Sequence, residues 1–190
     1  ILAGIAIALL STSALSQVPK DQLEQPPASA QHFIIESTGG KHGDSWIWRT
    51  PDGGWHGRES MNLRGQVWET DSQGSAGADG LPVRLTVRGV TPQGDAAELF
   101  ETTGKGARWK SQVDEGTTAD RGAAFYATFG GPVANSAWMF ERLVAAPGHA
   151  LKLLPGGEAH ATSQASVEVG EGASRKTVTL WFAHGVVSTP

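Results

Sequence analysis

The sequence contains no cysteine, and this absence excludes several kinds of chemistry. Without cysteine there is no disulfide framework, no thiolate metal site and no cysteine nucleophile. A strongly basic character is missing too, because the formal net charge is -4 and the 15 Lys and Arg residues form no stripe. We therefore expect neither nucleic acid nor an anionic membrane surface as a partner.

Motifs of common catalytic sites are absent as well. The sequence has no G-x-S-x-G turn for a serine nucleophile and no G-x-x-x-x-G-K-[ST] phosphate loop. A hydrolytic zinc site needs about three converging protein ligands, and no two of the six histidines are spaced as H-x-H or H-x-x-x-H. These histidines are His32, His42, His56, His149, His160 and His184.

Two carboxylate pairs are the nearest candidates for acid/base chemistry. Asp114 with Glu115, and Glu168 with Glu171, both lie at the ends of predicted strands. Solvated acids are ordinary at such positions, and general acid/base catalysis needs a geometry that spacing alone does not provide. We assign no catalytic, cofactor-binding or metal-ligating residue from the sequence.

The amino-terminal residues have the pattern of a secretory signal peptide. An apolar run is followed by small residues, and Ala14 and Ser16 occupy the −3 and −1 positions of a cleavage site before Gln17. The run is too short for a stable membrane span, which needs about 20 apolar residues. Residues 1–16 are thus predicted to be a signal peptide, and the protein to be periplasmic or secreted.

The rest of the chain divides into a linker and one domain. Residues 17–31 are polar and proline-rich, which predicts a flexible linker. Residues 32–190 form the predicted β-rich accessory domain. Because the chain begins with Ile1 and not Met, and stops soon after a strand-like run, we expect it to be a fragment truncated at both ends.

Alternating hydrophobicity indicates the fold class. In residues 81–89 (LPVRLTVRG), Val83, Leu85 and Val87 face one way and the intervening polar residues face the other, as in a half-buried strand. Short turns connect similar runs, which predicts an antiparallel meander over residues 63–113. The predicted fold is mainly β: a curled antiparallel sheet of about seven to nine strands, a partial barrel or a sandwich, with one packed helix.

That helix is predicted over residues 134–146 (ANSAWMFERLVAA), where helix-favouring residues run without Gly or Pro. Ser136 or Asn135 is expected to cap its start, and Trp138 to pack it on the sheet. The seven tryptophans allow two interpretations. Core packing is favoured, and an aromatic-lined cavity or docking face is the alternative.

Four segments resemble the N-terminal region of exported bacterial proteins of the amidohydrolase superfamily. They are residues 79–89 (DGLPVRLTVRG), 106–115 (GARWKSQVDE), 123–126 (AAFY) and 143–157 (LVAAPGHALKLLPGG), and the resemblance extends from Phe33 to the end. In that family a signal peptide and a β-rich stretch precede a metal-dependent barrel. The family's metal ligands lie in the barrel, so the resemblance assigns no site residue here.

The resemblance implies the first of three functional hypotheses. In it, the chain is the N-terminal accessory domain of a secreted amidohydrolase, a hydrolase of amide or other C–N bonds, and is itself inactive. Its partner is the downstream catalytic domain of the same polypeptide, where a divalent metal, zinc, is expected; no cofactor is expected in this chain. The alternative is a periplasmic β module that binds a small apolar ligand or lipid without catalysis. The third is a structural domain with no ligand.

Overall fold

The computed structural model describes residues 18–169 and 176–186, and the side chains of residues 18–161. Most of this part of the chain is β-strand. The larger sheet contains β1 Gln31–Ser37, β2 Gly40–Arg49, β3 Trp55–Leu63, β4 Gln66–Ala76, β5 Pro82–Thr91, β6 Gly94–Asp95, β7 Glu98–Thr103, β8 Gly106–Lys110 and β9 Glu115–Thr118. The smaller sheet contains β10 Phe125–Tyr126, β11 Ala150–Leu154, β12 Glu158–Val169 and β13 Lys176–Val186. The helix α1, Val133–Ala145, follows β10, and short 3-10 helices cover Lys20–Gln22 and Pro147–His149.

The larger sheet is an antiparallel meander. Its strand order is β1-β2-β3-β4-β5-β7-β8-β9, with the short β6 also paired to β5, and its path does not close into a barrel. In the smaller sheet β10 and β11 are parallel, and α1 lies in the connection between them. This is the long crossover that parallel neighbours require. The predicted mainly β class with one packed helix is confirmed, and the smaller sheet adds a parallel pair.

One hydrophobic core joins both sheets and α1. On β5, Leu85 and Val87 are fully buried, as the alternation of this strand predicts, while Arg84 is exposed. Phe100 on β7 continues the same row, and Leu151 of the smaller sheet belongs to the same cluster. We call this side of the larger sheet the core face, and the opposite side the charged face.

Trp138 attaches α1 to the core face, as predicted. Its ring stacks on Trp55 at 5.6 Å between centroids and meets Phe125 edge-on at 5.4 Å. Its Nε1 donates a hydrogen bond of 3.0 Å to the carbonyl oxygen of Gly80, so the buried polar atom is satisfied. A Cβ at Gly74 of β4 would lie 2.5 Å from the Trp138 ring, so glycine is required for this close approach.

The start of α1 corrects the predicted cap. The helix begins at Val133 after Pro132, and no side chain of its own first turn caps it. Instead Glu59 of β3 accepts a hydrogen bond of 3.0 Å from the Val133 amide. A carboxylate near a helix N-terminus also interacts favourably with the helix dipole. Because this cap comes from a strand 74 residues earlier, local sequence does not reveal it.

Residues 62–70 (NLRGQVWET) have the composition of one strand, but the structure divides them between two. β3 ends at Leu63 and β4 begins at Gln66, and Arg64 and Gly65 between them both have positive φ, 54° and 82°. These values are typical of the two-residue turn that fits a twisted hairpin. β3 itself was missed because its buried positions include Glu59, Gly57 and Arg58, which hide the hydrophobic alternation.

The segment before β1 contacts the charged face. Leu23 is buried, and the Glu24 amide donates a hydrogen bond of 2.7 Å to Asp71 of β4. Composition predicted a linker here, and the structure adds that residues 20–24 are anchored to the sheet. The predicted signal peptide, residues 1–16, lies outside the described residues. In the described part of the chain, no helix is both long and apolar enough to cross a bilayer.

Candidate functional site

The loop before α1, residues 127–132 (the pre-helix loop), is held on the core face by a buried carboxylate. Glu98 of β7 is only 5% exposed. It accepts hydrogen bonds from the amides of Phe129, at 3.1 Å, and Gly130. The Tyr126 hydroxyl also donates to it, at 3.2 Å, while the tyrosine ring stacks on Phe100 at 4.9 Å. Together with Glu59 at Val133, this residue fixes both ends of the turn into α1.

Burial raises the pKa of the Glu98 carboxyl, and its amide hydrogen bonds offset only part of that shift. Burial likewise raises the pKa of Glu59 against the opposing effect of the Val133 amide. Burial, and then the nearby Glu98, raise the pKa of Tyr126. Perturbed acids beside a cleft are candidates for catalysis. Here, however, hydrogen bonds from the protein's own donors occupy the Glu98 oxygens, so the arrangement is suited to holding a loop.

The pre-helix loop forms one wall of an apolar cleft. The cleft has a volume of about 270 Å³ and lies between Phe129 and Val113, with Tyr126 and Pro155 also lining it. Phe129 is 52% exposed and Val113 is 54% exposed. Both are large hydrophobic residues, and their side chains meet solvent on either side of one concavity. A cleft with these walls is suited to an apolar guest.

One acid lies at the lip of this cleft. Asp114 lines it and accepts a hydrogen bond of 2.6 Å from the Trp109 indole nitrogen. The Ser111 side chain caps the same turn, because its hydroxyl accepts from the Asp114 amide at 3.1 Å. Asp114 thus has a structural partner in the core, and its neighbour Glu115 bonds Lys110 instead. The two acids do not form the pair that general acid/base catalysis would use.

The charged face carries a separate ionic network. Asp71, whose side chain is 1% exposed, accepts two hydrogen bonds from Arg88. The Asp71 carboxylate in turn raises the pKa of the Arg88 guanidinium. The buried Arg58 donates to Glu69 at 2.5 Å. Burial alone would raise the pKa of Glu69, but hydrogen bonds from Lys20, Ser60 and Arg58 outweigh it and lower that pKa. The opposite charges compensate one another, and Glu69 and Asp71 also bind residues 20–24, which lie over the network.

The histidines do not converge in the part of the chain whose side chains are described. His32 bonds Asp44 and stacks on Trp46, and His56 bonds Glu24 at 2.8 Å. No group of three or more His, Asp or Glu side chains that could hold a metal occurs among those residues. His184, Glu168 and Glu171 have side chains outside the described part, so the sequence interpretation of them stays a prediction.

The tryptophans separate by face. Trp55, Trp109 and Trp138 are buried in the core, as the favoured interpretation predicts. Trp46 and Trp48 project from the charged face and are partly exposed. None of the described tryptophans lines the apolar cleft. No sequence motif marks Glu98 or Phe129. The one local signal for Glu98 is that an acid stands two residues before Phe100 on β7, so both side chains point to the core face.

Comparisons with protein-family models, curated proteins and solved structures found no match to this chain.

Proposed function

We propose that this chain is a non-catalytic accessory domain of an exported, metal-dependent amidohydrolase, and that it docks on the downstream catalytic domain through the apolar cleft. The observation that carries the proposal is the pair of exposed hydrophobic side chains, Phe129 and Val113, that flank a concave, mostly apolar surface. Such a surface favours burial against another protein group.

The size of the cleft favours a protein partner over a lipid. Pockets for drug-sized ligands have volumes of about 300–1,000 Å³. The present cleft, at about 270 Å³, is slightly below that range. It can receive one or two apolar side chains from a neighbouring domain, which is how interface anchors are commonly bound.

The chemistry of the cleft also supports a binding role. The buried acid behind it, Glu98, already accepts three hydrogen bonds from the protein. A group engaged in this way has to break structural contacts before it can transfer a proton to a substrate. The residues that position the pre-helix loop thus shape a surface, and the hydrolytic chemistry is assigned to the downstream barrel.

A small apolar ligand is the second candidate, since the same walls would accept one. A fluorescent apolar probe such as anilinonaphthalene sulfonate distinguishes the two. Saturable binding by the isolated chain, lost in Phe129→Ser, favours the ligand-binding module. No saturable probe binding, together with docking of this chain on the downstream domain, favours the accessory domain.

The test uses the polypeptide encoded by the complete reading frame that contains this chain. We expect an H-x-H motif beyond Pro190, and chelator-sensitive amide hydrolysis that the 190-residue chain alone does not show. In calorimetry, Phe129→Ser should lower the transition temperature of the downstream domain by several degrees, because it removes about 1.5–3 kcal/mol of apolar burial.

Val67→Ser is the matched control, because Val67 is 39% exposed and lies on β4 away from the cleft. It should leave the downstream transition unchanged. A reading frame without a metal-binding barrel, hydrolysis by this chain alone, or equal effects of the two serine variants would each contradict the proposal.

A further inference from the structure

β1 forms an edge of the larger sheet and exposes large hydrophobic residues there. It pairs with β2 on one side, and within residues 18–169 and 176–186 nothing pairs with its other side. Phe33 is 46% exposed and Ile34 is 57% exposed. Because alternate strand residues point to opposite faces, the apolar surface of β1 continues across both faces of the sheet.

This edge lacks the usual protection against pairing. Natural edge strands are shortened, or carry Lys, Pro or a bulge. β1 is seven residues long and contains neither Lys nor Pro. A register shift does occur between Ile35 and Glu36, but the extra residue is His42 on β2, so the alternation of β1 continues uninterrupted. The opposite edge, β9, is only four residues long (EGTT).

The sequence of β1 (QHFIIES) is complementary to itself in the antiparallel direction. If Ile34 of one copy lies opposite Ile34 of another, Phe33 lies opposite Ile35 and Gln31 opposite Ser37. The same register places His32 opposite Glu36, twice, by symmetry. Apolar residues thus meet apolar residues, and a basic ring meets an acid, which are the favourable cross-strand pairs.

We propose that β1 is a dimerisation edge, at which a second copy of this chain adds its own β1 in antiparallel register about a two-fold axis at Ile34. The interface is isologous, so both copies contribute the same residues. Because one strand pair buries less than the about 1,200 Å² of a standard stable interface, the dissociation constant should be micromolar. The proposal is independent of the function proposed for the cleft.

The absence of cysteine allows a clean cross-linking test. Ile34→Cys introduces a single thiol at the two-fold axis, where directly opposite Cβ atoms lie about 4.5–5.5 Å apart. Oxidation, or the short cross-linker bismaleimidoethane, should convert most of this variant into a covalent dimer at micromolar concentration. Val67→Cys is the matched control, because Val67 is also an exposed hydrophobic residue but lies on β4, outside both β1 and the cleft, and it should cross-link at least 10-fold less.

Charge variants at the same position test the register. Sedimentation of the full chain should show a monomer for Ile34→Lys and for Ile34→Glu alone, with self-association weakened at least 10-fold. An equal mixture of the two should form the heterodimer, because Lys then faces Glu across the axis. Val67→Lys should associate as wild type does, and circular dichroism should show the same strand content for every variant.

Three outcomes overturn the proposal. A wild type that stays monomeric at a concentration 100-fold above the expected micromolar dissociation constant would show that β1 does not pair with a second copy of the chain. Dimerisation that survives Ile34→Lys would place the interface elsewhere. Failure of the Lys and Glu variants to associate with each other would show that residue 34 does not lie opposite itself.

Discussion

The two faces of the larger sheet use acidic residues in opposite ways. On the core face, Glu59 and Glu98 lie among apolar side chains and accept hydrogen bonds chiefly from backbone amides of the pre-helix loop and α1. On the charged face, Glu69 and Asp71 are paired with arginines in rows across neighbouring strands. Burial raises the pKa of the first pair, whereas hydrogen-bonded cations lower the pKa of Glu69.

The difference shows that the partner determines the consequence of burying a carboxylate. Desolvation penalises the charged form on both faces, and at Glu69 the hydrogen bonds from Lys20, Ser60 and Arg58 outweigh it. On the core face the amide hydrogen bonds position a loop but offset only part of the desolvation, so the pKa values of Glu59 and Glu98 stay raised. On the charged face hydrogen bonds from Lys20, Ser60 and Arg58 lower the pKa of Glu69, and the Lys20 side chain and the Glu24 amide attach residues 20–24 to Glu69 and Asp71.

The largest effect is expected on the core face, from Trp138→Ala. The substitution removes a fully buried ring that packs on Trp55 and Phe125, and should lower the free energy of unfolding by about 3–5 kcal/mol. Trp46→Ala on the charged face is the control, expected to cost about 1 kcal/mol because that ring is partly exposed. Urea denaturation measures both, and a loss below about 1 kcal/mol for Trp138→Ala would show that α1 is not docked in this way.

On the charged face, Asp71→Ala should cost about 2–3 kcal/mol. The change leaves Arg88 and the Glu24 amide without their acceptor, although Arg88 keeps some contact with water. Limited proteolysis should also cut faster within residues 18–30, since the anchor of that segment is lost. If both the stability and the cleavage rate stay unchanged, the N-terminal segment is not held in place by the ionic network.

The two faces should respond to pH with opposite sign. A raised folded pKa makes ionised Glu98 a cost that appears as the pH rises above about 4.5, so the loss caused by Glu98→Gln should shrink between about pH 4 and pH 8. A lowered folded pKa makes ionised Glu69 a gain that is lost as the pH falls through that pKa. The loss caused by Glu69→Gln should therefore grow from about pH 3 to pH 6. Urea denaturation of both variants and the wild type at several pH values across this range measures these losses. If the losses caused by Glu98→Gln and Glu69→Gln change in the same direction with pH, the distinction between the two faces is refuted.

The smallest effect is expected from an exposed ion pair that belongs neither to the buried acids of the core face nor to the ionic network of the charged face. Lys110 and Glu115 lie 2.7 Å apart, but both side chains are mostly exposed. Lys110→Ala should change the free energy of unfolding by less than about 0.5 kcal/mol. A loss as large as that of Asp71→Ala would show that exposure does not distinguish the two kinds of pair.

Much of the fold was predictable because its signals are local. The alternation of β5, the helix-favouring run around Trp138 and the short turns between strands each depend on neighbours in the sequence. Missed elements have weaker local signals: β3 buries charged residues, while β9 and β10 contain only four and two residues. Strands this short have almost no periodicity from which to recognise them.

The candidate site was less predictable than the fold. Glu98 and the pre-helix loop are about 30 residues apart, and the exposure of Phe129 and Val113 depends on how three segments meet. Sequence patterns describe which face of an element a residue occupies, but they do not state what lies opposite it. An acid within an apolar strand therefore signals a buried polar contact without identifying the partner.

The sequence by itself determined the mainly β class, the antiparallel meander and the helix around Trp138, because periodicity and turn chemistry act over a few residues. It also excluded cysteine chemistry. Only the tertiary structure decided that Glu59 caps α1, that Glu98 holds the pre-helix loop beside an apolar cleft, and that β1 lies at an edge. These features join residues distant in the chain, and their energies arise only when folding removes water from the groups that meet.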